Sequence, residues 1–338
     1  MKAIQIAEKG KIRIVELDRP VPAEGEVLLK LKYVGFCGSD LNTFRGRNAM
    51  AKSEVIPGHE VGATIEALGN GVPASLAPGM NVTVNPYTNC GICPSCRRSR
   101  FNACENNETL GVQRDGAMRE YICLPWEKII PAEGLSSKET ALVEPMSVGF
   151  HAVERAMVTD ADTVMVIGCG MVGLGAVVRA AIRGARVIAA DIDQDKLELA
   201  MEMGAAFPLN TTDPDFRERL KEITSGNGPD VVIEAVGSPT TYRLAIDEVA
   251  FTGRVTFIGY SKSEVSFDTG LFVKKELDIK GSRNATPSDF ESVISYLRKG
   301  ICPTDRLISG TVSYESAQEA LKYWSENPGK VFRILLEA

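Results

Sequence analysis

Val164-Met165-Val166-Ile167-Gly168-Cys169-Gly170-Met171-Val172-Gly173 is the stretch that decides the fold. Its first four residues are continuously apolar, the pattern of a strand buried on both faces. Glycines then fall at the spacing G-x-G-x-x-G, and a helical pattern runs on from residue 173 to 183. That spacing alone is weak evidence, but here a strand precedes it and a helix follows it. An acid also closes the next strand at Asp191, eighteen residues past Gly173. Each glycine has a physical task. Gly168 permits a tight turn, Gly170 lets backbone approach a pyrophosphate, and Gly173 lets helix and strand close together. Free N–H groups at the helix start, Met171 and Val172 among them, with the positive end of the helix dipole, would face the phosphates. Asp191 would accept hydrogen bonds from the adenosine ribose and repel a 2′-phosphate. Ile192 stands where an NADP-binding chain often carries Arg or Ser, so the expected dinucleotide is NAD.

Working outward, strands at 187–191, 231–235 and 254–259 alternate with helical segments such as 195–203, as in a parallel sheet covered on both faces. The texture before Pro145 is different. Segments 12–15, 27–32, 60–68 and 80–84 mix β-branched and alternating apolar residues between turn signals, which indicates an irregular β-rich domain. The final stretch, 288–338, reads as two amphipathic helices and a closing strand at 331–336, placed back against the first domain.

Within the β-rich part lie Cys90, Cys93, Cys96 and Cys104, in the spacing C-x2-C-x2-C-x7-C. Four thiolates so placed converge on one tetrahedral Zn2+ at about 2.3 Å without straining the backbone. The segment between them is rich in Gly, Pro, Ser and Asn and has no apolar period, so the metal takes the place of a core. With no open position, the zinc is structural. A disulfide pair is the simpler alternative. An iron–sulfur run would bring its fourth Cys after three residues and follow it with Pro, whereas seven intervene here and Glu105 follows.

The chain has 338 residues, enough for about two domains, and its 44% hydrophobic and 24% charged residues are those of a globular protein. A net charge of −6 argues against nucleic acid as a partner. The N-terminal segment is charged throughout and lacks the apolar core of a signal peptide. The longest uncharged run, 163–178, is shorter than the ~20 residues needed to span a bilayer. Eight cysteines without a leader point to a reducing cytoplasm.

A second metal site is suggested by residues outside the four-Cys lobe. His59 stands in Pro57-Gly58-His59-Glu60, Cys37 in Gly35-Phe36-Cys37-Gly38-Ser39-Asp40, and Glu144 in the loop-like Val143-Glu144-Pro145. A thiolate, an imidazole and a carboxylate plus water make a zinc site with an exchangeable position. Asp40 is placed to hold the second nitrogen of His59. His151, just after Gly149 at an expected helix start, is expected to be a structural or surface histidine.

In order and spacing, these motifs resemble the zinc-dependent medium-chain dehydrogenases over essentially the whole chain, and most closely the sorbitol, threonine and sugar-acid branch. Gly281-Ser282-Arg283-Asn284 supports that placement. The resemblance implies an α/β fold: a GroES-like β-rich catalytic domain with an inserted Rossmann doubly wound parallel sheet. The expected boundaries are 1–147 for the catalytic domain, with its zinc lobe at about 86–108, then 148–284 for the NAD-binding domain, and 285–338 for the return. It also implies a catalytic zinc on Cys37, His59 and a carboxylate, either Glu60 or Glu144, so that two zinc ions and NAD are expected per chain. Ser39 would start a proton relay, Arg283 would bind substrate and Arg333 would approach the pyrophosphate. Members of the family form dimers or tetramers. Two departures stand out. Gly62 lies one place earlier than the family's glycine, with Ala63 in its position, and Asn42 replaces a relay histidine. The leading function is NAD+-dependent oxidation of a secondary alcohol on a polyol, sugar or sugar acid. The alternatives are a threonine- or butanediol-type dehydrogenase and a non-catalytic NAD(H)-binding regulator.

Overall fold

The computed structural model describes residues 1–48, 50–51 and 54–338. The chain divides into two compact units, Met1–Pro145 with Thr286–Ala338, and Met146–Ala285.

The second unit is built on a six-stranded parallel sheet. In space its strands run Phe207–Asn210, Arg186–Asp191, Thr163–Ile167, Val231–Glu234, Arg254–Phe257 and Asp278–Gly281. Counted in chain order this is 3-2-1-4-5-6, a doubly wound sheet whose direction of travel reverses beside the first strand. The reversal opens a crevice at the carboxyl ends of the strands. Val164, Met165 and Val166 are fully buried, as a central strand requires. Met165, Ile188, Leu209, Val232 and Val255 meet in one core. Each such buried side chain contributes about 1.5–3 kcal/mol.

In the first unit the strand Glu26–Gly35 is the spine. It pairs antiparallel with Glu60–Leu68, Tyr121–Pro125 and Arg333–Glu337. The chain's last strand therefore completes a sheet begun by its first hundred residues. Its parallel partner Ile308–Val312 escapes the sequence pattern, because Ser309 and Gly310 interrupt the apolar run. The hairpin strand Lys2–Glu8 escapes it too. Ala3, Ile4 and Ile6 are buried there, but Lys and Glu frame them.

Two local findings bear on the site. Glu144 lies not in a loop but in the first turn of the helix Val143–Ala156. Pro145 is tolerated there because a first-turn N–H has no intrahelical acceptor. His151 is buried further along the same helix.

Gly62 has a steric explanation. A Cβ at that position would stand 2.0 Å from the Ser137 carbonyl oxygen. The short helix Ser137–Ala141, closed by a Ser136–Glu139 capping box, lies directly on this strand. Gly62→Ala should therefore lower stability by about 1–3 kcal/mol in thermal denaturation. Gly310→Ala, where a Cβ meets nothing within 4 Å, should change it by less than about 0.5 kcal/mol.

Candidate active site

Strand register brings the site together. Gly35 lies opposite both Glu60 and Leu335, and the Phe36 N–H donates to the Ile334 carbonyl at 2.9 Å. Just past the strand end, Cys37 caps the helix Gly38–Phe44, and the Asp40 carboxylate accepts the Cys37 N–H at 2.8 Å. Gly58 has φ +102°, and a Cβ there would strike Met118 and Val34 at 2.8 Å, so only glycine turns His59 inward. The donor atoms of Cys37, His59 and Glu60 consequently lie within 4.8 Å of one another. Gly35 makes the room: a Cβ on it would sit 2.1 Å from Glu60 Oε2.

These groups fit a zinc ion. Glu60 is wholly buried and His59 is 5% exposed, yet His59 Nδ1 and both Glu60 oxygens have no hydrogen-bond partner among the described residues. Buried polar atoms left that way are costly and point to a missing partner. Burial opposes charging His59, but Cys37, Glu144 and Asp40 outweigh it and hold the imidazole well above its usual pKa. The pocket therefore favours additional positive charge. A thiolate, an imidazole and a carboxylate are a donor set that suits zinc and leaves an exchangeable position.

Arg333 meets this set directly. Its Nη1 donates to the Phe36 carbonyl at 2.5 Å and stands 3.1 Å from Glu60 Oε1, an ion pair without hydrogen-bond geometry. The sequence suggests a place for it at a pyrophosphate; in the structure it lies against the site's own carboxylate. Asp40 acts on His59 through charge, while its carboxylate serves the Cys37 N–H. Burial raises Asp40 to about 6, against the opposing pull of His59 and that N–H. Ser39 Oγ is buried without a partner among the described residues, and half-buried Asn42 follows on the same helix. Glu144 Oε1 accepts the Tyr87 hydroxyl, and burial pushes its carboxyl up. Burial and the charge of Glu144 keep the Tyr87 phenol far above its usual range. Phe44, at the end of the helix Gly38–Phe44, packs into the core of this unit.

The four-Cys lobe consists of turns and two single-turn 3-10 segments, Cys96–Arg98 and Phe101–Ala103. Its buried cluster is made of cysteines alone: Cys93, Cys96 and Cys104, with Cys90 against them. All four sulfurs lie within 4.8 Å of one another, and Cys93 and Cys104 are 3.9 Å apart. Tetrahedral zinc with 2.3 Å bonds has sulfur–sulfur edges of about 3.8 Å. A disulfide would need about 2.05 Å, and none of the eight cysteines is in one. Hydrogen bonds from Ser95 and from backbone at Glu105 and Cys96 pull Cys93 down to about 5, toward the thiolate a metal takes. Burial and the neighbouring sulfurs push Cys96 up to about 11.

The second unit holds a cleft of about 770 Å³ lined by Gly168, Gly170, Asp191 and Ile192. Gly168 has φ +92°, and a Cβ on Gly173 would lie 1.7 Å from the Gly168 carbonyl oxygen. A Cβ on Gly170 would meet nothing within 4 Å. The helix Met171–Ile182 opens here, with Met171 buried and Val172 half-buried. Asp191 Oδ2 accepts the Cys169 N–H at 2.7 Å, and Oδ1 accepts those of Ile192 and Asp193 at 2.8 and 3.0 Å. Glu234 clamps a neighbouring wall, accepting the Val236 and Gly237 N–H groups and the Thr241 hydroxyl at 2.9, 2.7 and 2.8 Å. Lys196, Thr211, Ser238 and Arg243 also line the cleft. No motif marks them, because they come from separate elements that only the fold brings together. Arg283 lies half-buried just past the strand Asp278–Gly281. Among the described residues, no helix is long and apolar enough to cross a membrane.

Comparison with known proteins adds to this geometry. Residues 23–134 match the alcohol dehydrogenase GroES-like domain, and residues 172–299 match the zinc-binding dehydrogenase family. The chain is 34% identical to L-galactonate-5-dehydrogenase of Escherichia coli K12, covering 89% of this chain and 88% of that one. It is also 34% identical to sorbitol dehydrogenase of Bacillus subtilis, covering 95% and 93%. A crystal structure of an alcohol dehydrogenase (rspB) from E. coli CFT073, complexed with NADH, superposes with a TM-score of 0.91. It is 30% identical and covers 100% of this chain and 99% of that one.

If the lobe is held by metal, Cys93→Ser should remove about one zinc per chain and lower the melting temperature, as metal analysis and thermal denaturation would register. A variant with full zinc content and unaltered stability would count against a structural metal.

Proposed function

This chain belongs to the zinc-dependent alcohol dehydrogenase family, and on that premise we propose that it oxidises a secondary hydroxyl of a polyol, sugar or sugar acid with NAD+ as hydride acceptor. The convergence of Cys37, His59 and Glu60 carries the reading. The glycine turn and Asp191 support the choice of cofactor. The unit Met1–Pro145 with Thr286–Ala338 is read as catalytic, and Met146–Ala285 as cofactor-binding.

Zinc bound at the three donors would supply the Lewis acidity that draws an alcohol's pKa toward neutrality, and NAD+ the hydride acceptor. Ser39, whose Oγ has no partner among the described residues, takes the substrate proton. Asn42 has no titratable nitrogen near neutral pH, so it does not carry that proton onward. Arg333 offsets the charge of Glu60 and fixes its orientation. Glu144, on its helix turn, is the second carboxylate of the site. Asp191 recognises the adenosine ribose, Gly168, Gly170 and Gly173 with Met171 and Val172 receive the pyrophosphate, and Arg283 binds substrate hydroxyls or a carboxylate. The four cysteines hold the second zinc.

A homo-oligomer, dimer or tetramer, is supported by the strand Asp278–Gly281. It lies at the sheet edge with Ile279 exposed, and such an edge is a template for pairing with another chain. Eight cysteines, none in a disulfide, support a reducing cytoplasm as its location.

NADH formation by the zinc-replete protein across polyols, aldonates and small secondary alcohols tests the activity, with the chelated protein as control. Zinc-dependent turnover confined to one stereochemical series is expected; turnover on small alcohols alone would favour the butanediol type. Cys37→Ser should abolish turnover and remove about one zinc per chain while sparing the fold, and retained turnover would sink the metal assignment. Asp191→Asn removes the charge and leaves one acceptor oxygen, which serves the Ile192 and Asp193 N–H groups but not that of Cys169. It should cut the preference for NAD+ over NADP+ by about tenfold or more, roughly 1.4 kcal/mol in relative binding.

A further inference from the structure

We propose that Tyr87 is a positioning residue that decides which carboxylate joins the metal donors: its hydroxyl holds Glu144 apart from Cys37 and His59 and leaves that place to Glu60. The inference rests on the zinc reading of the Cys37 site. The set of mutually close donors comprises Cys37, His59 and Glu60. Glu144 is near enough for its charge to act on His59 and to feel that of Glu60, but its Oε1 is taken by the Tyr87 hydroxyl. Tyrosine and glutamate are each 4% exposed, so water does not compete for the bond.

Tyr87 is itself pinned. Its N–H donates to Asn85 Oδ1 at 3.1 Å, and its carbonyl accepts from Lys128 Nζ at 2.7 Å. The same ammonium reaches Asn89 Oδ1 at 3.4 Å, one residue before Cys90. The phenol is thus anchored where the four-Cys lobe begins. Glu60 is fixed just as firmly, by its pairing opposite Gly35 and by Arg333. Ligand number gives the reason for keeping the two acids in different places. A second carboxylate on the metal would fill the position a substrate needs.

Cobalt(II) exchanged into the Cys37 site, with zinc kept on the four cysteines, reports ligand number. Four-coordinate cobalt absorbs visible light several times more strongly than five- or six-coordinate cobalt, and the bands shift. Glu144→Gln should leave the parent spectrum unchanged. Tyr87→Phe should weaken and shift it as the released carboxylate enters, and Tyr87→Phe combined with Glu144→Gln should restore the parent bands. A purely structural loss at Tyr87 would not be reversed by the second substitution. An unaltered Tyr87→Phe spectrum, or an altered Glu144→Gln spectrum, overturns the proposal. The second criterion stands even where Tyr87→Phe does not fold. Cobalt binding that survives Cys37→Ser instead overturns the zinc assignment itself, and this proposal with it.

Discussion

The antiparallel contact between Gly35 and Glu60 is the constraint on which the first unit's chemistry depends. It sets Cys37 two residues past one strand end and His59 one residue before the other, so the two soft ligands meet without a long loop. It also places the Glu60 carboxylate where a methyl group on residue 35 would have been. A one-residue slip in this register would send Glu60 to the opposite face of the sheet and scatter the donors. Glycines at 35, 58 and 62 all serve this contact: one clears the carboxylate, one turns the imidazole inward, and one admits a supporting helix. The buried Arg333–Glu60 pair costs desolvation energy, and its role is to hold orientation in a site of predominantly negative charge.

What the sequence reveals follows from how local the signal is. The glycine turn, its flanking strand and helix, and the four cysteines are each encoded within about twenty residues, and the structure has them where their spacing indicates. Cys37, His59 and Glu60 are recognisable as donors, but their convergence depends on strand pairing that no local pattern specifies. Glu144 is obscured by Pro145, whose presence in a first helical turn reads equally well as a loop. Arg333 is legible as a cation near the last strand, but not as the partner of Glu60, because the two stand 273 positions apart. Lys196 and Arg243 carry no signal at all until the sheet sets them around one cleft.

The two units meet their polar obligations differently. In the first, buried donors are left unsatisfied around the point where a cation would stand. In the second, Asp191 takes three backbone N–H groups on its two oxygens, and Glu234 takes two N–H groups and a hydroxyl on Oε1 while its Oε2 has no partner among the described residues. These bonds stiffen the turns that border the cleft, so its walls are shaped before any dinucleotide arrives.

The strand Arg333–Glu337 also has a consequence for biosynthesis. Cys37, His59 and Glu60 leave the ribosome early, but the arginine that orients Glu60 and the strand that flanks Gly35 are made 273 residues later. At about 5–20 residues per second, that is a delay of roughly 15–50 seconds. Throughout that interval the nascent chain carries a thiol and an imidazole without the strand that completes their sheet. The four-Cys lobe, complete by residue 104, is under no such wait. The two zinc centres would therefore mature in a fixed order, the one on the four cysteines during translation and the one at Cys37 only as synthesis ends.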